Sequence, residues 1–163
     1  MKRTPDESSP RYGALLQLLR TADTLWNASR VFFGRWDLGP SQFNVLNLLH
    51  SAPAGLSQTE LSRQLIMHRS NVTGLVDRLV KRGLLQRLDV AGDRRAYRVV
   101  LTPAGVNLIA EILPRYYEQA ERVWGNLNAR RASELSADLG QVAHNAERLV
   151  AEAPHKETGT AKT

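Results

Sequence analysis

The chain has 163 residues, 22 Lys and Arg against 16 Asp and Glu, a formal net charge of +6 and no cysteine. That length supports one ordinary domain with a real core, and the missing thiols exclude disulfides, thiolate catalysis and thiol redox sensing. No run nears the roughly 18 apolar residues of a membrane span, and the first ten residues lack the apolar core of a secretory signal, so the expectation is a cytoplasmic protein with no membrane partner.

Residues 1–9 are polar and are expected to be disordered. From Pro10 to about Phe33 the spacing predicts a helix, with Leu15, Leu19, Ala22 and Trp26 in one stripe that Leu18 and Leu25 widen. Val31, Phe32 and Phe33 end it in an apolar patch that needs partners on more than one side. Asp37-Leu38-Gly39-Pro40 punctuates the chain, with Gly39 as cap and Pro40 at the first helical position. Phe43, Leu46 and Leu49 then mark a helix ending near Ser51, and Ala52 to Gly55 form a loop.

The stretch Leu56 to Gly83 reads as two helices joined by a tight turn. Ser57 and Glu60 have capping-box spacing, and Leu56 and Leu61 stand at staple positions. The pattern breaks at Ile66-Met67-His68. Val72, Leu75, Val76, Leu79 and Val80 then form a single apolar stripe, and Gly83 suits the helix end. The opposite face carries Arg69, Ser70, Asn71, Thr73, Gly74, Arg78 and Lys81. This is helix-turn-helix spacing, and the exposed face suits a major groove: Arg for guanine, Asn for adenine, Ser and Thr for bases or phosphates. The motif is short and degenerate, and an ordinary helical hairpin with a solvated face fits this stretch equally well.

After Gly83 the period changes. Leu84 to Leu88 and Tyr97 to Leu101 are strand candidates, separated by the turn-rich segment DVAGDRRA. A hairpin with a basic tip directly after a helix-turn-helix makes a winged helix. Thr102 and Pro103 start the next helix, which runs to about Leu127 with Pro114 inside it as an expected kink. Gly125 to Ala129 read as a break before a last helix, where Leu135, Leu139, Val142, Ala146 and Leu149 have the spacing of a packing seam. Pro154 stops it, and 154–163 are expected to be disordered. The first and last helices carry more apolar surface than the central unit can cover, and a symmetric dimer is the economical solution.

The charge is localised. Ser57 to Thr102 hold nine basic residues against four acidic, an excess of +5, while the remaining thirteen and twelve leave +1. A basic patch on a helix-turn-helix points to a polyanionic partner.

VTGLVDRLVKRGLLQRL followed by GDRRAYRVVLTPAG resembles the MarR family of bacterial transcriptional regulators, as does LGPSQFNVLNLL, and the likeness extends over roughly Leu15 to Val150. It implies a mainly α fold with a small β wing and a single domain over 1–163. Within it, 10–37 and 104–153 would be dimerisation helices and 38–103 the winged helix-turn-helix lobe. It further implies a homodimer, a pseudo-palindromic double-stranded operator and modulation by a small, often phenolic or aromatic, ligand. Residue by residue, Arg69, Ser70, Asn71 and Thr73 match the start of the recognition helix. Arg95 of Asp93-Arg94-Arg95 matches the wing arginine that enters the minor groove, and Asp93 the residue that orders the wing. His68 departs from members that carry an Asp there. Arg78, Lys81 and Arg82 lie late in the helix and suit phosphates; Asp77 suits acceptance from cytosine or, the favoured reading, a structural ion pair.

Trp26, Arg30, Phe33, Trp36, Phe43, His50 and Tyr117 come from segments that meet beside the DNA-binding lobe in the family. They would form an aromatic wall with one cation, suited to an aromatic carboxylate or phenol; each alone is equally well a core aromatic. The four histidines are scattered without metal-ligand spacing, and no phosphate loop or nucleophile motif stands out. The expectation is therefore no metal, no cofactor and no enzymatic activity. The favoured reading is a ligand-responsive transcriptional regulator, a repressor for preference. The alternative is an architectural or protein-interaction winged helix without an effector.

Overall fold

The computed structural model describes residues 9–65, 72–90 and 93–152, with 93–96 as backbone. Among these lie six α helices and one two-stranded antiparallel sheet, the mainly α fold with a β wing that the sequence implies. The polar ends 1–8 and 153–163, and the turn with the start of the recognition helix at 66–71, lie outside the described residues.

Helix α1 spans Pro10–Phe33, and a short 3-10 turn follows over Gly34–Trp36. Asp37 then takes a left-handed conformation, φ 53°, tolerable for Asp because its short polar side chain bonds locally. Two amides close this corner: Asp37 N–H donates to the Gly34 carbonyl and Leu38 N–H to the Phe33 carbonyl. Helix α2, Pro40–His50, starts as its Gly39-Pro40 signal requires, and the Gln42 side chain reaches back to the Gly39 amide at 2.8 Å.

Helix α3 covers Gln58–Gln64 with the expected capping box: Glu60 N–H donates to Ser57 Oγ at 3.2 Å and Ser57 N–H to the Glu60 carboxylate at 2.7 Å. Helix α4 is described over Val72–Lys81 and buries Val72, Leu75, Val76 and Leu79. It ends in a Schellman motif, with Gly83 N–H on the Val80 carbonyl, Leu84 N–H on the Leu79 carbonyl and Gly83 at φ 70°.

Strands β1, Leu85–Val90, and β2, Asp93–Leu101, pair antiparallel, with an irregularity between Asp89 and Val90. Pairing therefore runs well into the segment read from sequence as a turn. Asp93, Arg94 and Arg95 belong to a strand rather than to the tip, because ladder hydrogen bonds outweigh the local turn preference of Asp and Gly. Leu56 adds a bridge to Val99 through two main-chain bonds of 3.0 and 2.8 Å.

Helix α5, Pro103–Trp124, is capped by Thr102, whose Oγ1 accepts from Gly105 N–H at 3.1 Å and donates to the Gly83 carbonyl at 2.6 Å. It continues through Pro114 but stops at Trp124, three residues short of the expected Leu127, where Gly125 turns left-handed. Helix α6 spans Ala129–Glu152.

The chain divides into two compact units, 1–113 and 114–163. The first has its own core, built from Phe33, Leu38, Phe43, Leu46 and Leu49 with Leu61, Val76, Leu79, Leu85, Val99, Ile109 and Ile112. Its α1 buries only Phe33, and α6 in the second unit buries nothing. Leu15, Leu19 and Leu25 on α1, and Leu135, Val142 and Leu149 on α6, are exposed in the single chain. No described helix is long and apolar enough to cross a membrane.

Candidate nucleic-acid interface

The recognition helix α4 presents two chemically different faces. Its apolar stripe is sealed into the core, which leaves Thr73, Asp77, Arg78 and Lys81 exposed. Arg69, Ser70 and Asn71, the residues expected to read bases, lie outside the described residues, as does His68. Asp93, Arg94 and Arg95 occupy the N-terminal half of β2.

The basic excess divides into engaged and available cations. Arg87 on β1 forms an ion pair with Asp77 on α4, which makes Asp77 the structural partner its sequence position suggests. The Asp77 hydrogen bond is the main cause that raises the Arg87 pKa above the usual guanidinium range, and a side-chain hydrogen bond to Tyr97 adds to it. Arg87 also lies over the Tyr97 ring, 5.0 Å from its centroid.

Arg98 on β2 donates to the Ala54 and Gly55 carbonyls and stands 3.8 Å from Glu60. It thereby fixes the loop that enters α3. Arg82, read from sequence as a phosphate contact, also acts as a clamp within the protein. Its guanidinium donates to the carbonyls of Trp36 and Asp37, tying the end of the recognition helix to the left-handed corner before α2. Sequence offers no hint of this, because the partners are main-chain atoms of a distant segment. Arg78 and Lys81 make no ion pair with another described residue.

A third brace joins three elements. Gln58, at the start of α3, donates from Nε2 to Thr73 Oγ1 on α4 and accepts at Oε1 from the Tyr97 hydroxyl on β2, at 2.6 Å. The wing, the positioning helix and the recognition helix are thus held as one surface by polar contacts above the shared core. Gln58 lies in no motif, and the motif that contains Tyr97 gives no sign of this contact.

The aromatic residues considered for a ligand separate into two groups. Phe33 and Phe43 are each 1% exposed and stack on each other with centroids 4.1 Å apart. They are core residues, their buried faces occupied by each other. Trp36 joins this cluster through Phe32, centroids 5.4 Å apart, and its indole N–H donates to Glu111 at 3.0 Å. Trp26 is half-buried on α1, one turn before exposed Arg30; His50 is exposed at the end of α2. Tyr117, in the second unit, is exposed.

Comparison with known proteins agrees with this architecture. Residues 36–96, from the 3-10 turn into the second wing strand, match the sequence model of the MarR family. The HTH-type transcriptional regulator PapX of Escherichia coli is 31% identical over 115 residues, covering 69% of this chain and 70% of PapX. The HTH-type transcriptional regulator PecS of Dickeya dadantii (strain 3937) is 29% identical over 112 residues, covering 68% of each chain. The crystal structure of the S. aureus MepR–DNA complex has the same fold, with a TM-score of 0.71 at 19% identity over 82% of this chain and 97% of that one. A helix-turn-helix braced to its wing, in a chain with this ancestry, makes the protein a member of the MarR family of winged-helix transcriptional regulators, which bind DNA and are not enzymes.

Proposed function

We propose that the protein is a homodimeric repressor that binds a pseudo-palindromic operator and is released by a small aromatic ligand. The observation that carries the reading is the unpartnered apolar surface on α1 and α6. Leu15, Leu19, Leu25, Leu135, Val142 and Leu149 are spaced for helix packing, yet each is more than 40% exposed in the single chain. A second copy would cover them. Dimerisation would also set the distance between two α4 helices, which must be about 34–36 Å to enter successive major grooves.

In this reading Arg69, Ser70, Asn71 and Thr73 meet base edges, Arg78 and Lys81 meet phosphates, and Arg95 with its neighbours Asp93 and Arg94 brings the wing to the minor groove. The cytoplasm, where DNA is reached, is the corresponding location. The ligand would be a benzoate or phenol held beside Trp26, Arg30 and Trp36, with His50 as further lining. Arg30 supplies the charge-assisted partner for a carboxylate. The ligand acts by binding the free and DNA-bound states with different affinity.

Selection from a randomised double-stranded library tests the operator reading. Enrichment of an inverted repeat with half-sites one helical turn apart supports it, whereas purely salt-dependent binding without enrichment points to an architectural binder. Tryptophan fluorescence under titration with benzoates and phenols tests the ligand. A saturable change that operator DNA opposes is required by linkage.

A further inference from the structure

The contact between Gln58 and Thr73 has a direction, and that direction restricts what Thr73 can offer to DNA. The chain of hydrogen bonds starts at Arg87, a guanidinium with five N–H donors and no acceptor. It lies over the Tyr97 ring and shares a side-chain hydrogen bond with Tyr97, in which the guanidinium can only donate and the Tyr97 oxygen can only accept. Tyr97 directs its own proton to Gln58 Oε1, at 2.6 Å. With its carbonyl oxygen so occupied, the Gln58 amide turns its NH2 to Thr73, and Nε2 donates to Thr73 Oγ1. The Thr73 oxygen therefore accepts from Gln58 on its inner side, so its single proton is not spent on that contact. Thr73 is exposed, on the face of α4 away from the core.

From this geometry we infer that Gln58 is a positioning residue for DNA recognition, which, braced by Tyr97, makes the Thr73 hydroxyl a hydrogen-bond donor toward the major groove. The inference rests on the reading of α4 as the base-reading helix. Residues toward the N-terminal end of such a helix contact base edges. A hydroxyl confined to donation selects an acceptor there: a purine N7, guanine O6 or thymine O4. It disfavours the amino groups of cytosine and adenine, which present protons. A threonine with a freely rotating hydroxyl would serve either class, so the selectivity comes from Gln58 and Tyr97, neither of which needs to touch DNA.

The test changes the direction of the chain without removing Thr73. Bound sequences are recovered from a randomised double-stranded library for the wild type, Thr73→Val, Tyr97→Phe and Gln58→Glu, with a melting curve for each. The carboxylate introduced by Gln58→Glu can only accept, so it draws the Thr73 proton inward and leaves an acceptor facing the groove. One position in each half-site should favour acceptor edges in the wild type. Thr73→Val should flatten that position, by about two- to tenfold for one hydrogen bond. Tyr97→Phe should weaken the same preference, and Gln58→Glu should turn it toward cytosine, whose major-groove edge offers only an amino donor.

The added charge of Gln58→Glu lowers affinity for all DNA, so the readout is the preference at that position and not the affinity. Tyr97→Phe removes a single atom and carries the test if Gln58→Glu does not fold. A wild type without any enriched sequence overturns the operator reading itself. An enriched sequence whose profile is flattened by Thr73→Val yet unchanged by Tyr97→Phe and Gln58→Glu overturns the relay alone, as does a Thr73→Val profile identical to the wild type.

Discussion

Arg87 on the first wing strand holds Asp77 on α4, so helix and wing are joined by an ion pair across the lobe. Both side chains are part-exposed, at 33% and 55%, and solvent screening therefore limits the pair to less than about 1 kcal/mol. Its effect is on geometry: it fixes the strand beside the helix.

The engaged and available cations should differ in salt dependence. Removing one phosphate-binding cation lowers the slope of log K against log salt by about 0.9. Arg78→Ala and Lys81→Ala should each do so on random duplex DNA. Arg82→Ala and Arg87→Ala should leave that slope unchanged, because their guanidiniums serve the protein. Fluorescence anisotropy over a salt series measures all four, and an equal drop in slope for every variant would erase the distinction.

Gly105→Ala should destabilise the lobe. A Cβ at this position would collide with the Leu84 carbonyl oxygen, which is main chain and cannot swing aside. The cost should be about 1–3 kcal/mol, as for other overpacked sites, read as a lower Tm by circular dichroism. Gly13→Ala, where a Cβ meets nothing within 4 Å, is the control and should not lower the Tm.

Acid should loosen the helix-turn-helix through Glu60. Hydrogen bonds from Ser57 are the main cause that holds this carboxyl below the usual carboxylate range, with Arg98 and Arg63 adding to it. A depressed folded-state pKa gives stability that is present above the unfolded value, roughly 4.3, and is lost as pH falls through the folded one. Glu60→Gln should remove this part of the pH dependence. The difference in Tm between wild type and Glu60→Gln should shrink steadily below about pH 4.3; a constant difference down to about pH 2 would assign no such role to the cap.

Leu135→Glu with Val142→Glu should convert the proposed dimer to monomers. Both positions lie on the exposed side of α6, so neither change disturbs a buried contact within the chain. Light scattering should give half the mass and operator affinity should fall steeply. An unaltered mass would place the dimer contact elsewhere.

The elements that sequence reveals here are the ones specified locally. Ser57 and Glu60 lie three residues apart and specify a cap between themselves; Thr102-Pro103 and Gly83 do the same at other helix ends. The wing strands extend further than their residue types suggest because pairing between Val90 and Asp93 overrides the turn preference of a Gly- and Asp-rich segment. Arg82 and Gln58 are illegible for a different reason. Each acts on partners remote in the chain, and no periodicity marks a single polar side chain that reaches across the core. Phe33 and Phe43 are legible as aromatic neighbours, but which face of the pair is covered depends on packing and not on spacing.

The bridge between Leu56 and Val99 encloses the whole helix-turn-helix in one closed loop of chain. Both helices are short, α3 having 7 residues and the described part of α4 having 10, below the length at which isolated helices hold in water. The loop closes on Val99 of the second wing strand, and closure carries its own entropic cost. Folding of the lobe is thus gated by a non-local contact, the kind that slows a chain otherwise rich in local ones. A nascent chain that ends at Gly83 already contains both helices but lacks the strand that pins their entrance, so the lobe is completed only after the wing has been synthesised.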